Sequence, residues 1–165
     1  MVSMIRAMFC LPVAGVCSHR VAGPPSRAPP LTTTLEVMRT VARWALAAAM
    51  VFAGLSHLFW ARKDFQAQVP DALVDGMPLD KDTIVVASGV VEVAFGVALV
   101  ALPGERRRIG ALLAAFFVAV FPGNLDQWRK GRSAFGLDTD RRRYVRLFFQ
   151  PVLVAWAWWS TRRAA

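Results

Sequence analysis

His57, Glu92, Asn124, Asp126, Arg146 and Gln150 interrupt runs of sequence that otherwise offer water nothing. An imidazole and a carboxylate can pass a proton, while amides and a guanidinium can orient a polar ligand. No Gly-rich phosphate loop, metal-ligand set or nucleophile–base arrangement accompanies them. Ionisable groups inside a membrane span cost on the order of 2.5–3.5 kcal/mol each on insertion scales, which makes each a functional candidate. Each also has a plainer reading. A lone intramembrane histidine is more often an interhelical hydrogen-bonding residue than a ligand to metal or haem. Glu92 serves either as interhelical glue or as a proton carrier, and the residues leave both open. Asp126 and Arg146 lie near segment ends, where they can snorkel to the interface.

Local spacing favours inward-facing positions. Ser88, Gly89 and Gly96 are the i−4, i−3 and i+4 neighbours of Glu92, so small residues surround the carboxylate. Gly54 and Ala53 stand in the same relation to His57. Arg146 and Gln150 are four apart and share one face. Pro122 and Gly123 loosen the helical ladder just before Asn124.

Four apolar segments carry these residues: 41–61, 83–102, 109–128 and 144–160. A bilayer core of about 30 Å needs about 20 helical residues, so the first three span comfortably and the last is at the lower limit. Trp44, Trp60, Trp128, Trp158 and Trp159 sit at or near segment ends, where indole favours the headgroup region. The expected fold is therefore all-α, a four-transmembrane-helix up-down bundle. In that arrangement the end of the first span, the start of the second, the end of the third and the start of the fourth share one side. All six polar groups then fall in one leaflet, with Glu92 deepest.

Composition agrees. Hydrophobic residues make up 56% of the 165-residue chain and charged residues 19%, with a net charge of +9. The arginines cluster between apolar runs, as in a membrane protein, rather than forming the basic face of a nucleic-acid binder. The expected partner is the lipid bilayer, with no nucleic acid. Lys and Arg divide almost evenly between the two sides, so orientation stays open. Cys10 and Cys17 lie outside the apolar domain and match no metal or thioredoxin-type spacing.

Residues 1–37 read differently. The stretch "VAGPPSRAPPLTTT" has the composition of a disordered linker. The segment is a dispensable extension, a disordered cytoplasmic tail or a targeting segment. The membrane domain is expected over 38–165. Residues 62–82 suggest a short interfacial helix or re-entrant loop, and 129–143 a basic, headgroup-binding loop.

The membrane segment resembles the DoxX-like family of small four-helix integral membrane proteins. The likeness is carried by "FAGLSHLFW", "FQAQVPDAL", "SGVVEVAFGVAL", "VFPGNLDQW" and "RLFFQPVLVAWAW", in that order. Leu58 intervenes before Phe59 where the family continues directly, and Gly123 replaces an alanine. The resemblance implies His57, Glu92, Asn124, Arg146 and Gln150 as motif positions; Ser88 and Asp126 are secondary candidates from the residues alone. It also implies a bacterial plasma-membrane protein, a subunit or accessory of a quinone-linked redox system, with quinone as the candidate cofactor and no metal. The alternative is a non-catalytic scaffold or small-solute carrier whose polar cluster serves packing or proton coupling. Whether the chain is an enzyme stays undecided.

Overall fold

The structure, a computed structural model, describes residues 31–75 and 78–162. Among them every regular element is helical: α1 (Leu31–Leu58), α2 (Arg62–Gln66), α3 (Asp71–Val74), α4 (Lys81–Ala101), α5 (Arg106–Arg129), α6 (Asp140–Leu147) and α7 (Phe149–Ser160), with a 3₁₀ turn at Pro103–Glu105.

Local chemistry accounts for the boundaries. The α1 stretch "ALAAAMVFAGL" is dominated by strong helix formers. The helix begins at Leu31, so residues 31–37 of the expected extension are helical; residues 1–30 lie outside the described residues. The Asp80 side chain caps α4 by accepting from the Thr83 N–H at 2.9 Å. Pro103 follows the end of α4 and cannot continue it. Loop 62–82 contains two short helices, α2 and α3, rather than a single one.

α1, α4 and α5 are each long and apolar enough to cross a membrane. Only 28% of the most apolar window of α4 is buried within the protein. Its Val90 and Val97 face outward, as do Leu112 and Val118 of α5. Outer faces this apolar belong against lipid rather than water. The segment expected over 144–160 differs: it is divided between α6 and α7, with Phe148 at the join. Pro151 supplies no N–H to the carbonyl four residues back, that of Leu147, and the ladder breaks there. α7 alone, with 12 residues, is about 18 Å long, short of a span.

The helices pack in two antiparallel pairs. In the first, Gly54 of α1 lies against Gly89 of α4, and Ala47 against Gly96. A methyl group on Gly54 would stand 2.5 Å from the Gly89 carbonyl oxygen, so this backbone approach excludes a side chain. In the second pair α5 meets α7, Phe117 lying beside Gln150 and Gly110 beside Thr161. Leu46, Met50, Leu99, Leu113, Phe117 and Ala157 form the apolar core joining the pairs. The Trp156 indole N–H donates to the Ala42 carbonyl at 3.0 Å, tying α7 to α1.

Candidate functional site

A cavity of about 370 Å³ opens where the end of α1, the first half of α4, the end of α5 and the α6–α7 join converge. Its volume falls within the range of small-molecule sites. His57, Ser88, Glu92, Asn124, Arg146 and Gln150 all line it. The rest of the lining is mostly apolar, including Leu46, Met50, Phe116 and Leu153.

His57 and Glu92 form its most unusual feature. Both are buried, and His57 Nδ1 stands 3.1 Å from Glu92 Oε2. Yet no hydrogen bond joins them, and neither atom has another partner among the described residues. At that distance the failure is one of direction: the approach is oblique. The other carboxylate oxygen, Oε1, accepts from Ser88 Oγ at a long 3.4 Å. The histidine owes its position to the small residues around it. A methyl group on Gly89 would lie 2.8 Å from His57 Cβ.

The opposite wall is better satisfied. Asn124 Nδ2 donates to Gln150 Oε1 at 3.0 Å, and Gln150 Nε2 donates to the Phe117 carbonyl. The missing N–H of Pro122 leaves the carbonyl of Val118, one residue further on, without its usual helical donor. Arg146 Nη1 donates to Gln127 Oε1 at 3.3 Å. Among the described residues no carboxylate lies within ion-pair distance of Arg146. Its guanidinium instead faces the Phe135 ring at 5.4 Å.

Sequence reasoning missed two aromatic rings beside the site, of which Phe65 lines the cavity. Phe65 of α2 meets the His57 ring edge-on, with centroids 3.5 Å apart, and Phe135 packs on Phe65 at 4.5 Å. A continuous stack therefore runs from His57 through Phe65 and Phe135 to Arg146. Phe135 has φ of +56°, a left-handed conformation uncommon for a bulky residue. Lone phenylalanines in two loops carry no pattern in the sequence that could have identified them.

Asp126 is absent from the cavity lining. It pairs with Lys130 and Arg132, both at 3.2 Å, in a network outside the cavity. Asp71 of α3 is the hub of that network, bonded by Lys130 at 2.8 Å, Lys81 at 2.5 Å and Arg132. Arg132 also donates to the carbonyls of Ala67 and Val69. The Lys130 and Lys81 ammoniums hold the Asp71 carboxyl well below the usual carboxylate range. Bonds to Asp71 and Asp126 in turn raise Lys130. These charges of the basic loop thus engage loop 62–82 instead of standing free for headgroups. Gly123 completes the junction: a side chain there would strike the Gln68 carbonyl.

Among the described residues no group of three His, Cys, Asp or Glu side chains converges as a metal site would require. Fold and site together define an all-helical protein with three helices able to cross a membrane and a buried imidazole–carboxylate cavity at one end. Residues 46–161 match the family described as a domain of unknown function, DUF8561, and the chain belongs to that family. No curated protein and no solved structure matches it.

Proposed function

We propose that the chain is a DoxX-like integral protein of a bacterial plasma membrane, in which α6 and α7 act together as a fourth span of an up-down bundle. Its cavity, set in one leaflet, binds the headgroup of a quinone as part of a membrane redox system, as a subunit or an accessory. The observation that carries this reading is the buried pair: His57 Nδ1 and Glu92 Oε2 stand 3.1 Å apart, at ion-pair distance but with no hydrogen bond between them. A buried polar group without a partner costs about 1–3 kcal/mol. Interhelical glue would align the pair and recover that energy; a site awaiting a ligand leaves it unrecovered. Arg146, with no carboxylate beside it among the described residues, adds a donor suited to a carbonyl oxygen.

The chain's own residues then have distinct tasks. His57 donates to a ring carbonyl. Glu92, within reach of the imidazole, holds or returns the proton that a quinone oxygen takes up on reduction. Arg146 and Gln150 orient the ring, and the Phe65–Phe135 stack excludes water. A test is quinone-dependent electron flux in native membranes carrying His57→Ala or Glu92→Gln. The reading expects flux to fall about tenfold or more with normal insertion, from the loss of a proton-transfer group. Unchanged flux in both variants contradicts it.

One observation favours a second reading, a non-catalytic scaffold. Asn124 and Gln150 satisfy each other and the α5 backbone, as packing residues do. Under that reading His57 and Glu92 variants lose thermal stability and change neither ligand binding nor flux.

A further inference from the structure

Three arginines gather at the other end of α1. Arg39 and Arg43 are one turn apart on α1, and Arg106 opens α5. Arg43 lies about 21 Å along the helix from His57 at 1.5 Å per residue, so this cluster is separate from the cavity. Arg43 is only 8% exposed, and the charges facing it are Arg106 and Glu36. Glu36 stands 3.8 Å from Arg39 Nη1 and 3.6 Å from Arg106 Nη2. Those are ion-pair separations too long for hydrogen bonds.

The guanidiniums are left with donors to spare. Nε of Arg39, Arg43 and Arg106, and Nη1 of Arg39, are buried without a hydrogen-bond partner among the described residues. The plainer readings do not account for this. Snorkelling would place these donors in water, and capping of α7 would place them on its last carbonyls. Arg39 does approach the Trp159 ring at 6.0 Å, which fixes the end of α7 beside the cluster without satisfying an N–H. Among the described residues no second side-chain carboxylate stands within ion-pair distance of these arginines. Glu105, next to Arg106, pairs with Arg108 at 3.0 Å. Residues 1–30 contain Arg6, Arg20 and Arg27 but no Asp or Glu.

We propose that Arg39, Arg43 and Arg106 form a binding site for a phosphate-bearing anion, either an anionic phospholipid headgroup or free phosphate. Guanidinium forks match phosphate oxygens in geometry as well as charge. The N-terminal end of α5 adds its partial positive charge on the same side. The site sits at the end of three apolar helices, where headgroups lie. It goes beyond the quinone cavity and does not depend on it.

The test uses the full chain purified in mild detergent. Native mass spectrometry and thermal unfolding are measured separately with phosphatidylglycerol, phosphatidylcholine and inorganic phosphate. Phosphatidylglycerol is expected to stay bound and raise Tm by about 5 °C over phosphatidylcholine, a shift typical of a well-occupied site. Arg43→Met and Arg106→Gln are each expected to weaken its binding about tenfold. Arg43→Lys, which keeps the charge without the fork, should fall between wild type and Arg43→Met. Inorganic phosphate reproducing the shift assigns the site to the free anion, and phosphatidylglycerol alone assigns it to lipid. Equal binding of both lipids with no effect of phosphate overturns the proposal, as does undiminished binding by folded Arg43→Met. If the variants do not fold, the wild-type comparison of the two lipids and phosphate decides. Quinone retention in the cavity is expected to be unaltered by Arg43→Met, which separates this test from that of the cavity.

Discussion

His57 Nδ1 and Glu92 Oε2 face each other at 3.1 Å across the α1–α4 contact without forming a hydrogen bond. The approach is made possible one turn away, where Gly54 and Gly89 bring the two backbones together. Helix packing thus sets the distance between a proton donor and an acceptor, while Phe65 packs edge-on against the imidazole ring.

Gly89 is therefore a positioning residue for His57. Gly89→Ala would place a methyl group 2.8 Å from His57 Cβ and 2.9 Å from the Gly54 carbonyl oxygen. The helices must separate, at a cost of about 1–3 kcal/mol typical of overpacking. Thermal unfolding in detergent should show the loss, and quinone retention should fall with it. Unchanged stability would mean that α1 and α4 are not held this closely.

Asn124 and Gln150 should behave as a coupled pair. Removing either amide leaves its partner short of a hydrogen bond, costing about 1–3 kcal/mol if the site stays dry. Asn124→Ala with Gln150→Ala should cost less than the sum of the two single changes, with a coupling of about 0.5–3 kcal/mol. A double-mutant cycle on unfolding free energies checks this. Strict additivity would show that the bond contributes nothing to stability.

Asp71 makes the attachment of loop 62–82 pH-dependent in a defined direction. Its carboxyl is depressed in the folded protein by Lys130 and Lys81 from an ordinary value of 3.8. The stabilisation is complete above that ordinary value and is lost only as pH falls below it, towards the depressed folded value. Amide exchange or limited proteolysis of residues 62–82 should therefore be flat from pH 7 to about pH 5. Asp71→Asn should loosen the loop at neutral pH, because it removes the charge that Lys81, Lys130 and Arg132 share.

Phe135 should act on ligand exchange more than on folding. Phe135→Gly suits the φ of +56° and removes the ring between Phe65 and Arg146. An aromatic contact of this kind is worth about 0.5–1.5 kcal/mol. Stability should change little while bound ligand leaves faster, a difference stopped-flow displacement can read. An unchanged release rate would show that the stack does not gate the cavity.

The convergence of His57, Glu92, Asn124, Arg146 and Gln150 was legible from depth along apolar segments, because helix rise turns sequence position into height. The small residues beside His57 and Glu92 were legible as places of close approach; that α1 and α4 approach each other there was not. Asp126 misled because depth alone cannot distinguish the inner from the outer face of a helix end, and Lys130 and Arg132 draw it outward. The break at Phe148 follows from Pro151, whose effect reaches one turn back into a segment that hydropathy reads as continuous. Phe65 and Phe135 could not be found locally, since their rings meet only once residues 70 positions apart are brought together by the fold. The same holds for Arg39, Arg43 and Arg106, which in sequence are only flanking charges of separate helices.

The most direct test of the cavity's role is the quinone content of purified protein, measured by mass spectrometry of the extracted lipid. Wild type, His57→Ala and Glu92→Gln are compared after the same mild-detergent purification, with helical content and Tm recorded for each. The account predicts near-stoichiometric quinone in wild type and its loss from both variants while they remain folded. Folded variants that retain quinone at the wild-type level, or a wild type that carries none, would contradict it.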